Sequence, residues 1–138
     1  MKSFARAFLV VLIPLAGCAR TGGTPRVDFG APCAACGMTV QDPHFACVRR
    51  DGNSERQYDS IECLLHDGRP APGEEIFLAD YDRSALLPAE SLWVVKGTFP
   101  SPMGGGLAAF SALGSAREVA SRTKGRVARL AELVGGAS

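Results

Sequence analysis

Phe45-Ala-Cys-Val-Arg-Arg-Asp-Gly-Asn-Ser-Glu-Arg-Gln-Tyr58, continued by Asp59-Ser-Ile-Glu-Cys-Leu-Leu-His-Asp-Gly68, reads as one β-β-α unit. Phe45 to Arg50 mixes aromatic and β-branched positions, Asp51-Gly52-Asn53 is a turn signal, and Glu55 to Tyr58 forms the returning strand of a hairpin. Asp59 or Ser60 then caps a short helix through Ile61, Leu64 and Leu65, which ends at Asp67-Gly68, where glycine supplies the left-handed cap.

Downstream, the Pro70-Ala71-Pro72-Gly73 loop leads into Ile76 to Tyr81, a buried strand that closes a β-β-α-β unit. The plan then repeats. Ser91 to Lys96 is a strand, a glycine-rich loop runs from Gly97 to Gly106, and Leu107 to Phe110 adds a short paired segment. Ser115 caps a helix over Ala116 to Thr123, and Gly125 stops it before a final strand from Arg126 to about Leu130. The pattern from Arg126 to Val134 fits strand and helix equally. Two β-β-α-β units give an α+β domain, with an antiparallel sheet as one layer and two helices packed against it as the other.

Upstream, residues 1–17 read as an export signal: Lys2 and Arg6 are its positive region, and Ala7 to Leu15 is an apolar stretch well short of the ~20 residues of a membrane span. Leu15-Ala16-Gly17-Cys18 resembles the bacterial lipobox, making Cys18 the expected lipidated residue and the periplasmic face of the inner or outer membrane the expected location. Residues 18–30, with Thr21-Gly22-Gly23-Thr24-Pro25, read as a flexible linker, leaving 31–138 as one small domain. Without Lys2 and Arg6, 13 of the 15 basic residues remain against 14 acidic ones. They are scattered rather than grouped in a stripe, so no nucleic-acid partner is expected.

The chemistry lies in sulfur. Cys33-Ala34-Ala35-Cys36-Gly37-Met38 stands near the front and Pro102-Met103-Gly104-Gly105 far downstream. Thiolate and thioether donors select Cu(I), whereas magnesium or calcium calls for oxygen. Cys36 and Met38 lie two apart, so an extended segment projects both to one face. Met103, between proline and glycines, fits a loop-borne ligand better than a core element, although methionine as core filler is the alternative for both. His44 is a candidate nitrogen ligand or an ordinary loop histidine, while His66 suits the end of the short helix. Cys47 and Cys63 read as small core residues, although Asp59-Ser60-Ile61-Glu62-Cys63 also offers a carboxylate to the metal loop.

A Cys-x-x-Cys pair alone has other meanings. A structural zinc site wants a second Cys or His pair at similar spacing, and the sequence has none. A thioredoxin-like centre needs its first cysteine at a helix N-terminus, which Gly37-Met38-Thr39-Val40 disfavours. A disulfide between Cys33 and Cys36 in an interaction module remains the third reading.

Taken together, the lipobox at Cys18, Cys36-Gly37-Met38, Tyr58-Asp59-Ser60-Ile61-Glu62-Cys63-Leu64, Asp80-Tyr81, Pro102-Met103-Gly104 and Ala109-Phe110 resemble the NosL family, copper-carrying lipoproteins of nitrous-oxide reductase maturation. The resemblance implies a fold similar to that of organomercurial lyase. It also implies a low-coordinate Cu(I) site with Cys36, Met38 and Met103 as ligands, and Cys33 and His44 as less direct candidates. The function it implies is that of a membrane-tethered periplasmic Cu(I) chaperone rather than an enzyme. Its partners would be copper donors and acceptors of the cell envelope, an ABC-type maturation complex among them. The alternatives are delivery to a different cuproenzyme and a thiol-disulfide oxidoreductase using Cys33 and Cys36.

Overall fold

A computed structural model describes residues 22–135; the signal segment 1–17 and Cys18 lie outside the described residues. The chain runs β1 (Cys47–Asp51), β2 (Ser54–Tyr58), α1 (Ile61–His66), β3 (Glu75–Asp80), β4 (Ala85–Pro88), a 3₁₀ turn (Ala89–Ser91), β5 (Trp93–Lys96), β6 (Leu107–Phe110), α2 (Leu113–Arg122), β7 (Arg126–Ala128) and α3 (Leu130–Gly135). The seven strands form one sheet in the order β2-β1-β3-β6-β5-β7, with β4 on β3. The α+β class and the two β-β-α-β units, β1-β2-α1-β3 and β5-β6-α2-β7, are those expected from the sequence.

The first hairpin pairs Asp51 with Ser54 across Gly52-Asn53. Gly52 alone of that pair has a positive φ, +57°, the signature of a type II′ turn whose twist matches the flanking strands. The Ser60 hydroxyl accepts from Cys63 N at 3.2 Å and caps α1. At the other end of α1, the buried Arg49 guanidinium donates from Nη2 to Leu64 O at 2.9 Å and to Gly68 O, satisfying carbonyls that a short helix leaves open.

The sheet is not wholly antiparallel. Two antiparallel halves, β2-β1-β3-β4 and β6-β5-β7, meet through a single parallel pairing, Asp80 opposite Ala109, reinforced by Tyr81 N donating to Ala109 O at 2.7 Å. The helices also differ from the expected single layer. Val94, Leu107 and Ala109 pack with Ile61, Cys63 and Leu64 of α1, whereas Val95, Ala108 and Phe110 pack with Ala116 and Ala120 of α2. Since neighbouring strand residues face opposite ways, α1 and α2 cover opposite faces.

One added strand and two moved boundaries differ from the sequence reading, each for a local reason. β4 is a four-residue edge strand ending in proline, too short and too exposed to show alternation. α2 begins before Ser115, because Ala116 N already donates to Ala112 O at 3.1 Å. The ambiguous tail divides: Arg126–Ala128 pairs with β5, and α3 follows once Arg129 lays its guanidinium 3.4 Å from the Trp93 ring centroid and donates to Leu92 O at 2.8 Å. Residues well ahead of the first strand also join the fold. Gln57 Nε2 donates to Asp28 O and Asp28 N to Gln57 Oε1, both at 2.9 Å, and Pro25 is buried. Among the described residues no helix is long and apolar enough to cross a membrane.

Asp80 holds the junction between the halves. Fully buried, it accepts from Ser111 Oγ at 2.6 Å, Asp82 N at 3.3 Å and Ser111 N at 3.4 Å. Asp80→Ala is expected to leave these donors unsatisfied and lower stability by about 1–3 kcal/mol. The check is a lower urea midpoint at unchanged slope, with Asp80→Asn, which keeps an acceptor oxygen, falling between the two.

Candidate metal centre

The Cys-x-x-Cys segment forms a closed turn rather than the start of a helix. Cys33 N donates to Met38 O at 2.7 Å, Gly37 N to Cys33 O at 2.9 Å, and Pro32 bridges Thr39. Gly37 reverses the chain with φ +74°, a conformation that suits glycine. Ala34 N donates to Gln57 O at 2.9 Å, docking the turn on β2 just before the corner that leads into α1.

That docking gathers four side chains. The ligand atoms of Cys33, Cys36, Asp59 and Cys63 all lie within 4.8 Å of one another. Cys33 and Cys63 are each 2% exposed and Asp59 4%, whereas Cys36 is exposed and closes the group on the solvent side. The Cys36 thiol lies 3.9 Å from Asp59 Oδ2. Asp59 Oδ1 is buried with no hydrogen-bond partner, the kind of orphan that a buried carboxylate resolves by meeting a cation. The four described cysteines are free thiols.

Electrostatics depends on how the thiols are enclosed. Burial pushes the Cys63 thiol well up, with further upward pressure from Asp59, Cys36 and Cys33. Burial likewise raises Cys47, helped by Glu62, Asp59 and Cys33. Cys47 nevertheless stands apart from the quartet, donating to Phe45 O at 3.2 Å, and fits the core role read from its sequence. An ion in the quartet would reverse this trend, since coordination favours thiolate over thiol.

Both candidate methionines are exposed. Met38 is 52% exposed and Met103 44%. A cleft is lined by Met38, Asp42, Asp59 and the segment Pro100-Ser101-Pro102, so the turn that carries Met38 faces the loop that carries Met103. This glycine-rich loop is tied down: Glu62 Oε1 accepts from Ser101 Oγ at 2.9 Å and Leu107 N at 3.2 Å, and Gly106 N donates to Ser101 Oγ at 3.0 Å. Gly105 lies so close to Glu62 that an added Cβ would come within 2.6 Å of Glu62 Cγ.

His44 is held away from the quartet, with Nδ1 2.7 Å from Tyr81 O and 3.1 Å from Ser84 Oγ. His66 ends α1. Cys63 is the residue whose position the sequence reading did not anticipate, since it serves the core and the quartet together. The available signal was local. A residue three after an N-cap serine sits in the first helical turn, next to the Asp59 corner.

No protein-family model matches this sequence, and no curated protein matches it significantly. Among solved structures the chain is similar to the crystal structure of the copper chaperone NosL from Shewanella denitrificans. The TM-score is 0.64 and the identity 18%, over 80% of this chain and 94% of that one. At this identity the likeness is one of fold.

Raised acids fix the alkaline limit of the metal-free protein. Cys47 and Cys63 are held above their ordinary value of 9.0, and burial with a hydrogen bond to Asp67 lifts Tyr58 from 10.0 to about 12. The folded state therefore binds these protons more tightly than the unfolded chain does. The associated stability is complete below the unfolded values, begins to fall as pH rises past about 9 and then 10, and is lost as pH passes the raised folded values, about 12 for Tyr58. Urea unfolding across pH 7 to 11 should show a falling midpoint above about pH 9, and Tyr58→Phe should flatten the upper part of that fall.

Proposed function

We propose that this chain is a Cu(I) carrier of the cell envelope that accepts the ion and passes it on by ligand exchange, without catalysing a reaction. The observation that carries this reading is the convergence of Cys33, Cys36 and Cys63 with Asp59 beneath a cleft shared by Met38 and the Met103 loop. The donor set is rich in sulfur, as a soft monovalent ion requires. The likeness in fold to a copper chaperone adds support.

On this reading Cys36 is the central ligand, because it is both exposed and in contact with the buried group. Met38 and Met103 contribute neutral thioethers at the surface, where an incoming protein can compete for the ion. Cys33 and Cys63 hold it from below. His44 enters only if its ring leaves Tyr81 O. The expected lipid on Cys18 would tether the domain at the periplasmic face of a membrane. Assembly of nitrous-oxide reductase is the destination suggested by the family resemblance, with envelope copper donors and an ABC-type maturation complex as partners.

A redox role is less well supported. The first cysteine of the pair is the buried one, and no helix starts at Cys36 whose dipole would activate a thiol.

Anaerobic Cu(I) titration of the full chain carrying Cys18→Ala is expected to give tight uptake, with X-ray absorption reporting a shell dominated by sulfur. Cys36→Ser combined with Met38→Ala should weaken binding by on the order of tenfold or more, since losing a ligand outweighs losing an outer-shell partner. Unchanged affinity in that double variant would refute the assignment.

A further inference from the structure

The later part of the segment expected to be a flexible linker is strapped to the sheet. Arg50, 7% exposed, donates from Nη2 to Gly23 O at 2.8 Å, and its guanidinium lies 5.0 Å from the Phe77 ring centroid. Gly22 runs so close that an added Cβ would come within 2.7 Å of Arg50 Nη1. Pro25 is buried and Val27 packs against the core. The chain is therefore held from Gly22 onward, four residues after Cys18. Four residues span at most about 14 Å, so whatever Cys18 carries stays close to Gly22.

Residues 22–24 form one wall of a groove of about 1180 Å³, more than the ~300–1,000 Å³ of an ordinary small-molecule pocket. Ile76 and Phe77 of β3 and Leu130 and Val134 of α3 give it apolar surface. Three charged groups at its edge are engaged elsewhere: Glu75 pairs with Arg50 at 3.4 Å, Glu74 with Arg56 at 3.6 Å, and Arg129 lies over the Trp93 ring. Together with Glu90, the edge carries three carboxylates, which repel the anion of a free fatty acid. An acyl chain held in an ester or amide linkage has no such charge. The occupant that fits is thus apolar, uncharged and attached close to Gly22.

We infer that the groove between residues 22–24, β3 and α3 holds an acyl chain of the lipid on Cys18, folding the anchor back onto its own domain when the protein is away from the membrane. This rests on the lipid expected at Cys18 and is independent of the copper-carrier reading. The driving force is removal of methylenes and groove side chains from water together. The groove and the metal corner lie toward opposite ends of the first hairpin. Arg50, which pins the strap, stands opposite Glu55 near the turn, whereas Cys47 stands opposite Tyr58, just before Asp59. Filling the groove therefore leaves the quartet as it is.

The test compares the full chain carrying Cys18→Ala with the natively lipidated chain. N-phenylnaphthylamine, an uncharged dye whose emission rises in apolar surroundings, is expected to bind the Cys18→Ala chain. Val134→Asp places a carboxylate in the groove and should weaken that binding by about tenfold or more, with unchanged circular dichroism showing that the fold is kept. Ala131→Glu, at an exposed position on the same wall, should act in the same direction. In the lipidated chain, a metabolically incorporated fatty acid bearing a photoreactive diazirine is illuminated after detergent is removed. It should link to peptides of the same molecule that contain Ile76 and Phe77 or Leu130 and Val134. Dye binding that is absent from the Cys18→Ala chain, or indifferent to both substitutions, would overturn the inference, and so would photolinks confined to a second copy or to membrane lipid. An intact mass showing no lipid on Cys18 would instead remove the anchor reading, and the groove would lose this occupant even where the dye binds.

Discussion

The corner from Tyr58 through Asp59 to Ser60 is the constraint on which the rest of the site depends. Its serine hydroxyl accepts the backbone N–H of Cys63, so the bond that starts α1 also fixes the cysteine facing the CxxC turn. A helix of six residues has little stability of its own. It is held at both ends: by that cap at the front, and by Arg49 donating to Leu64 O and Gly68 O at the back. Tyr58 adds a clamp across the same element by donating to Asp67 Oδ2 at 2.6 Å. Substitutions that loosen any of these act on the placement of Asp59 and Cys63 without touching either.

Glu62 extends the same element to the far side of the cleft. Its carboxylate reaches Ser101 and Leu107 N, so the chain between β5 and β6 is anchored to the helix that carries Cys63. The loop is rich in glycine for a reason beyond flexibility. Gly106 has φ +66° and lies against Gly97 O, and Gly105 leaves room for the Glu62 side chain, so larger residues would push the loop off α1. Met103 thus extends from a segment with fixed ends, which leaves its exposure as a property of the fold rather than of an untethered loop.

Local signals were readable and long-range ones were not. The Gly52 turn, the Ser60 cap and the Gly68 stop each depend on a few adjacent residues, and each appears where the sequence put it. The parallel contact between Asp80 and Ala109 joins residues far apart in the chain through one pairing, and no pattern of hydrophobicity encodes it. The split of the helices between two faces follows from Val94 and Val95 both being buried, which reads in the sequence only as a continuous apolar run. Cys63 illustrates the same limit at the site. A buried cysteine on a short helix looks like a core residue until the turn from Cys33 to Met38 is seen docked against β2.

The division between buried thiols and exposed thioethers bears on how an ion would travel on the proposed reading. Thiolate binding requires proton release, and for Cys63 the burial and neighbouring acids oppose that release until a cation arrives. A thioether has no proton to lose, so Met38 and Met103 can engage a soft ion at any pH without a change in charge. Entry through the methionines therefore separates first capture from deprotonation, leaving Cys36 and then the interior thiols to lose their protons afterwards, beside the orphaned Asp59 oxygen that already favours positive charge. Departure runs in reverse: reprotonation of the buried thiols pushes the ion back toward Cys36, the one member of the quartet exposed to a partner.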